Sequence, residues 1–322
     1  MTKKKYMLAL VTALSMCLFS CEYKDLVDSE ALNAVTIHFD TSKIEEVPGS
    51  MRVAFFPVDD MAKANIRKGY TFFDLPRTIW PATVQIPDGI YDIVAWNNDT
   101  EHIITDNYSC QSTLYAATAK YRSRGTYDTP AVLDSIFEGQ PVLDYPDYMV
   151  HAIQAEEQIF NKTQTNNVIL TPDSMMITVN LKVSGIKGLS WAKHIRGAIN
   201  NVAGKRYIAY DDHTEDSVVV MFDCSYSSED SVIYAQFNVF GMEPYEIKDL
   251  PHKVVLFFWL ETGKVFIPMD ASMAIIDDKN QRYHIDMEFP TLNIDLREIS
   301  SSKNTFDIDV EQWEDVEIEI GF

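Results

Sequence analysis

The sequence has little of what nucleic-acid-binding and metal-binding proteins need. Lys and Arg number 27 against 48 Asp and Glu, and the formal net charge is −21. Binding to a phosphate backbone needs clustered positive charge, so this deficit argues against a nucleic-acid partner. Only four cysteines are present, and no two have the CxxC spacing of zinc or redox sites. We therefore predict no metal site and no cofactor.

Catalytic motifs are also missing. The sequence contains no G-x-S-x-G, no H-E-x-x-H and no glycine-rich phosphate loop. Its seven histidines are scattered singly between His38 and His284. The densest acidic patch, 211–216, lacks the spaced oxygens and the turn glycine of a calcium loop, and we interpret it as a solvated loop. We expect no enzymatic activity.

The first residues have the layout of an export signal. Lys3–Lys5 precede an apolar run, Met7–Phe19, of about a dozen residues, whereas a membrane-spanning helix needs roughly 20. Leu18, Ser20 and Cys21 then resemble the lipobox of bacterial lipoproteins. We predict cleavage between Ser20 and Cys21 and attachment of diacylglycerol and palmitate at Cys21. Two or three acyl chains would make a stable anchor in the lipid of the outer membrane.

Two cysteines remain in the body of the chain, Cys110 and Cys224, 114 positions apart. In an oxidising compartment they could form a disulfide, or each could be a small buried apolar residue. The sequence leaves both alternatives open.

The body is patterned as β-strands. With 46% hydrophobic residues it has enough apolar surface for a core in spite of its charge. Strict alternation of apolar and polar residues is typical of antiparallel sheets with one buried face. Four segments alternate in this way: 35–40, 177–183, 306–311 and 316–320. Two continuous apolar runs, 218–222 and 254–260, are predicted to be central strands covered on both faces.

Local signals predict one hairpin and leave two short segments that could be helical. The turn sequence Pro87–Gly89 separates segments 83–86 and 90–96, which predicts a β-hairpin. Only two segments could be helical, 117–124 and 189–196; both are short, and no longer helical pattern is present. Many short strands with frequent turns favour β-sandwiches over a βαβ fold.

A polar stretch divides the body. Residues 161–167 are all polar and lie between apolar segments. We predict a signal peptide over 1–20, a tether over 21–32, an N-terminal β-sandwich over 33–164 and a C-terminal β-sandwich over 165–322.

The tryptophans are candidates for stacking against a sugar. Trp96 and Trp259 lie in apolar strands and are predicted to be in the core. Trp80 and Trp191 border loops and are the better candidates for exposed contacts. Trp313, near the C-terminus, is the remaining one.

Several parts of the sequence resemble one family. Residues 21–26 are similar to the tether, 86–99 to a hairpin, and 168–172, 175–185 and 195–204 to the start of the second domain in Bacteroidetes lipoproteins related to the FimB-type fimbrial anchor subunits. The resemblance implies an all-β chain of two tandem transthyretin-like β-sandwiches without enzymatic activity. It also implies a lipidated subunit that joins a fimbrial stalk subunit by β-strand addition.

Two functions follow as hypotheses. The first is a lipid-anchored, surface-exposed outer-membrane protein that serves cell adhesion as a fimbrial anchor or minor subunit. The alternative is a glycan-binding surface lipoprotein of a nutrient-uptake system. An open, strand-wide apolar groove would favour the first, and exposed coplanar aromatic rings would favour the second. The alternating segment 314–322 is either the last strand of the second sandwich or a strand exchanged with the next subunit.

Overall fold

The computed structural model shows a chain built almost entirely of β-strands. It describes residues 32–66, 68–120, 133, 136–137, 139–154, 156–163, 165–210, 212, 214, 216–227, 229, 231–242, 252–261, 263–270, 275–280 and 284–297. Among these residues, nearly all regular structure is strand. The all-β, sandwich-type fold class predicted from the alternating segments is confirmed.

The strands are numbered in chain order. The first twelve are β1 Leu32–Phe39, β2 Ser50–Pro57, β3 Thr71–Pro76, β4 Ala82–Pro87, β5 Gly89–Asn97, β6 Ile103–Asp106, β7 Tyr115–Thr118, β8 Val142–Asp144, β9 Val150–Ile153, β10 Gln158–Phe160, β11 Asn166–Leu170 and β12 Asp173–Ser174. The next twelve are β13 Ile177–Ser184, β14 Ile186–Lys187, β15 Ala192–Ala203, β16 Lys205–Tyr207, β17 Ser217–Asp223, β18 Ser225–Ser227, β19 Val232–Val239, β20 Lys253–Leu260, β21 Lys264–Asp270, β22 Ile275–Asn280, β23 His284–Glu288 and β24 Ile294–Asp295. Helix α1 spans Asp60–Asn65, and 3₁₀ turns span Thr41–Lys43, Arg77–Ile79, Gln111–Thr113 and Leu189–Trp191.

The first sandwich packs a narrow sheet against a wide one. The narrow sheet has the order β11-β1-β4, and the wide sheet has the order β12-β9-β5-β2-β3, with β10 also paired to β5. Alternate side chains of both sheets, such as Val35, Val84, Val53 and Ile93, meet in one buried apolar core. The opposite face of the wide sheet packs Phe56 and other apolar residues against a separate cluster that includes β7. Burial on both faces explains why β2 and β5 contain continuous apolar runs.

The second sandwich consists of two five-stranded sheets. Their orders are β21-β20-β15-β17-β8 and β18-β19-β13-β23-β22, and the largest apolar core lies between them. The outer face of the first of these sheets is also covered, because Leu133 and Phe137 pack against residues of β15, β17 and β20. The runs 218–222 and 254–260 lie within β17 and β20, which are interior strands, so the prediction of doubly covered central strands is confirmed.

The predicted hairpin at Pro87–Gly89 is wrong, although the turn and both strands are present. Strand β4 pairs with β1 in the narrow sheet, whereas β5 pairs with β2, β9 and β10 in the wide sheet. The turn therefore carries the chain from one sheet of the sandwich to the other. Glycine is required at 89, because its φ is +146° and a Cβ there would lie 2.5 Å from Ala62 Cβ.

Neither of the two segments that could be helical forms an α-helix among its described residues. In the first, residues 117–118 belong to strand β7, and 121–124 lie outside the described residues. In the second, the 3₁₀ turn Leu189–Trp191 leads directly into strand β15. Strand β15 pairs with β17 on one side and β20 on the other, so its backbone bonds are made across the sheet instead of within a helix.

Strands near the predicted domain boundary at 164/165 pair across it. Strand β11, just after the boundary, runs parallel to β1 and buries Val168 and Leu170 in the first core. Strand β8, before the boundary, pairs in parallel with β17 of the second sandwich. Strand β16 pairs with β7 in a small separate sheet. The division into tandem domains at this point stays a prediction.

Several predicted features lie outside the described residues. These are the signal and lipidation residues up to Cys21, the alternating segments 306–311 and 316–320, and Trp313. In the part of the chain that is described, no helix combines the length and the apolar composition needed to cross a bilayer.

Candidate functional site

The four tryptophans that the structure describes occupy different environments. Trp96 and Trp259 are buried, as predicted. Trp191 is 52% exposed on its 3₁₀ turn, which agrees with its prediction as an exposed residue. Trp80 is partly buried instead, because its ring packs at 4.4 Å from the ring of Phe39 and its indole N–H donates to the Leu75 carbonyl at 2.9 Å. Its contacts are those of a residue that closes the end of the first core.

Cys110 and Cys224 are both free thiols. Cys110 is exposed, and its Sγ lies 3.1 Å from the Ser112 hydroxyl and 3.2 Å from the Thr113 hydroxyl. These hydrogen bonds lower the pKa of Cys110, whereas burial raises the pKa of the Cys224 thiol. The two thiols therefore differ in both access and acidity.

The acidic patch and the scattered histidines do not form a metal centre in the described part of the chain. No group of three or more His, Cys, Asp or Glu side chains is placed there to hold a metal ion. Asp216, at the end of the patch, pairs with Lys205 at 3.4 Å. Residues 211, 213 and 215 lie outside the described set.

The structure brings together a group of aromatic residues that the sequence analysis missed. We call Tyr70, Phe72 and Tyr108 the aromatic surface cluster. The centroids of Tyr70 and Phe72 lie 6.3 Å apart with an angle of 11° between the rings, and those of Tyr70 and Tyr108 lie 4.9 Å apart with an angle of 27°. The rings of Phe72 and Tyr108 are tilted by 37°, with their centroids 6.4 Å apart. Phe72 is 39% exposed, whereas Tyr70 and Tyr108 are partly buried.

The alternation of strand β3 creates this cluster. Phe73 and Leu75 point into the first core. Because successive side chains of a strand point to opposite faces, Phe72 and Asp74 lie on the other face. β3 is an edge strand, paired only with β2 among the described residues. The Tyr-x-Phe-x-Asp pattern at positions 70–74 was the available sequence signal, but it does not reveal that Tyr108 joins from a distant loop.

Arg52 links the cluster to a carboxylate. It lies opposite Asp74 in the register of β2 and β3, and its Nε and Nη2 donate to the two Asp74 oxygens at 2.7 and 2.8 Å. The guanidinium carbon is 4.1 Å from the centroid of Phe72, and Nη1 donates to the Tyr108 hydroxyl at 3.3 Å. The pKa of Arg52 is raised, chiefly by its hydrogen bond with Asp74 and against the effect of burial.

The polar side of the cluster stays accessible. The Asp74 side chain is 42% exposed and that of Arg52 is 22% exposed. The Tyr108 hydroxyl is held a second time, 2.7 Å from the Thr105 hydroxyl. An exposed ring, a carboxylate and a guanidinium are therefore fixed side by side. Only Phe72 of the three rings is exposed, so the cluster differs from the exposed coplanar rings that the sequence analysis named as the mark of glycan binding.

Comparison with models of protein families assigns the chain to one family. A family model described as "Domain of unknown function (DUF5119)" matches residues 20–223. The chain belongs to this family. The DUF5119 match extends from the predicted cleavage site to the end of β17 and so includes the whole aromatic surface cluster. A search of curated proteins finds no match.

One solved structure shares the fold of this DUF5119 member, and a second is less similar to it. An adhesin candidate from Bacteroides ovatus is 16% identical and has a TM-score of 0.61, over 86% of this chain and 96% of that chain. The fimbrial anchor protein Mfa2 from Porphyromonas gingivalis is also 16% identical, with a TM-score of 0.43 over 79% of this chain and 89% of that chain. The first comparison shows that the two chains share a fold.

Proposed function

We propose that this chain is a lipid-anchored structural protein of the cell surface, an anchor or minor subunit of a fimbrium that serves cell adhesion. The observation that carries the proposal is the fold that it shares, over 96% of the other chain, with the Bacteroides ovatus adhesin candidate. The lipobox-like Leu18–Cys21 supports anchoring in the outer membrane through Cys21.

The narrow sheet of the first sandwich supports joining by β-strand addition. Among the described residues, β4 and β11 each pair only with β1, so both edges of this three-stranded sheet lack a second neighbour. An unpaired edge offers backbone N–H and C=O groups to an added strand. Strand β4 also alternates, with Val84 and Ile86 buried and Thr83 and Gln85 exposed, so a strand added beside it would extend both a buried and a solvated face. The proposed partner is a fimbrial stalk subunit.

Metabolic labelling with radioactive palmitate tests the anchor. The wild-type chain should incorporate label, and Cys21→Ser should not. Cys110→Ser is the matched control, since it removes a cysteine outside the lipobox and should be labelled normally. An unlabelled wild type contradicts the lipoprotein part of the proposal.

Deletion of 314–322 tests how the subunit joins its partner. If this segment is the last strand of its own sandwich, the isolated protein should melt at a lower temperature, because it carries four apolar residues, each stabilising by about 1.5–3 kcal/mol when buried. If it is exchanged, the melting temperature should be kept while fimbriae, counted by electron microscopy of whole cells, are lost. A truncated protein that keeps both contradicts both readings.

A further inference from the structure

The aromatic surface cluster is preorganised for a small ligand. Arg52 is held by both oxygens of Asp74, by the ring of Phe72 and by the hydroxyl of Tyr108. Each side chain thus restrains another, and little rotamer freedom remains to be lost on binding. Binding sites gain affinity when this ordering cost has already been met in the free protein.

The aromatic surface cluster and the adjoining Asp74 present apolar and polar surface side by side. Arg52 lies over the ring of Phe72, and the ring centroids of Tyr70 and Tyr108 lie 6.3 and 6.4 Å from that of Phe72, yet Phe72 stays 39% exposed. Each Asp74 oxygen accepts one hydrogen bond from Arg52, and a carboxylate has about four acceptor positions in all. Asp74 can therefore accept hydrogen bonds from two further hydroxyl groups.

We propose that the aromatic surface cluster binds a pyranose residue of a neutral glycan. The C–H face of the sugar packs against the exposed part of Phe72, and neighbouring sugar hydroxyls donate to the Asp74 carboxylate. A sugar combines one apolar face with hydroxyl groups at its rim, and this is the arrangement that an exposed ring beside a carboxylate complements.

Charge and size favour this ligand over others. The Arg52–Asp74 pair is neutral as a unit, so it attracts neither a polyanion nor a polycation. A stable protein partner needs about 800 Å² on each side, whereas the cluster exposes little more than one ring. The inference goes beyond the fimbrial role and does not depend on it, since a glycan site can exist on an anchor, on a tip or on a soluble protein.

Affinity electrophoresis of the full-length chain tests the inference. Native gels contain a polyoxyethylene detergent, which has no sugar headgroup, and one neutral polysaccharide each: barley β-glucan, galactomannan or arabinoxylan. The wild type should be retarded in at least one gel. Phe72→Ala and Phe72→Leu should raise the dissociation constant roughly tenfold, the effect of losing about one aromatic contact. Phe72→Leu keeps the apolar bulk, so it distinguishes loss of the ring from a failure to fold.

Trp191→Ala is the matched control, because it removes an exposed aromatic ring from another part of the chain. It should be retarded like the wild type. The inference is overturned if no gel retards the wild type, if both Phe72 variants bind normally, or if Trp191→Ala loses binding to the same extent. Sedimentation velocity adds a further outcome: self-association that Phe72→Ala abolishes, without any glycan retardation, would assign the cluster to a protein contact instead.

Discussion

Asp59 connects helix α1 to the turn between the sheets of the first sandwich, and we expect Asp59→Ala to destabilise the protein. Its Oδ1 accepts hydrogen bonds from the backbone N–H groups of Ala62 at 3.0 Å and Ile90 at 3.1 Å. The first bond caps the helix, and the second fixes the residue that follows Gly89. One carboxylate oxygen thus holds two elements that are distant in the sequence.

The size of the effect follows from these two bonds. Removing a helix cap costs about 1 kcal/mol. Leaving the Ile90 N–H without an acceptor costs about 1–3 kcal/mol where water does not replace it. Because Asp59 is only half-buried, we expect the free energy of unfolding to fall by about 2 kcal/mol in total.

Urea denaturation followed by circular dichroism measures this loss. Asp59→Asn keeps an acceptor oxygen and should retain most of the stability. Asp60→Ala, at the next and exposed position, is the matched control and should change the free energy of unfolding by less than about 0.5 kcal/mol. The reasoning is refuted if Asp59→Ala is as stable as the wild type, or if the Asp60 variant is equally destabilised.

The same contacts predict a pH dependence. The hydrogen bonds from Ile90 and Ala62 lower the pKa of Asp59 below its ordinary value of 3.8. A carboxylate with a lowered pKa in the folded state contributes stability above its unfolded pKa, and this contribution is lost as the pH falls through the folded pKa. The stability difference between the wild type and Asp59→Ala should therefore shrink as the pH falls below 3.8.

Three further predictions concern other sites. A Cβ at Gly197 would lie 2.1 Å from the buried ring of Phe222, so Gly197→Ala should lower the free energy of unfolding by about 1–3 kcal/mol in urea denaturation. Adding Phe222→Leu to this variant should restore most of the lost stability. Burial raises the pKa of Asp147, but hydrogen bonds from His102 and the neighbouring backbone outweigh burial, so the pKa is lowered from its ordinary value of 3.8. In thermal melts, Asp147→Ala should therefore destabilise the protein above pH 3.8 and progressively less below it. A thiol reagent should label Cys110 well before Cys224, and Cys110→Ser should remove the fast phase; equal labelling rates would contradict the assigned environments.

Strands were predictable wherever burial leaves a local trace in the sequence. The alternating segment 177–183 lies within β13, and the apolar run 254–260 lies within β20. Periodicity reports how many faces of a strand are buried, and that information is present in each segment on its own. The two segments that could be helical, 117–124 and 189–196, show no α-helix in their described residues, because short segments without a clear period take the structure that neighbouring strands impose.

The aromatic surface cluster was not predictable in the same way. Trp80 and Trp191 were the candidates for exposed contacts because they lie near loops, but Trp80 is partly buried against Phe39. Phe72 and Tyr108 lie 36 positions apart, and they meet only because β3 is an edge strand next to the loop that carries Tyr108.

The sequence by itself determined that this is a β-sheet chain with substantial buried cores, and it contains the lipobox-like segment at Cys21 on which the proposed anchor rests. These features depend on side-chain period and on short contiguous motifs. The tertiary structure alone decided that Pro87–Gly89 crosses between sheets, that β11 pairs with β1, and that Arg52 joins Asp74 beside Phe72. Pairing of strands is a choice among distant partners, and its free energy comes from packing whole sheets against one another, which no local segment encodes.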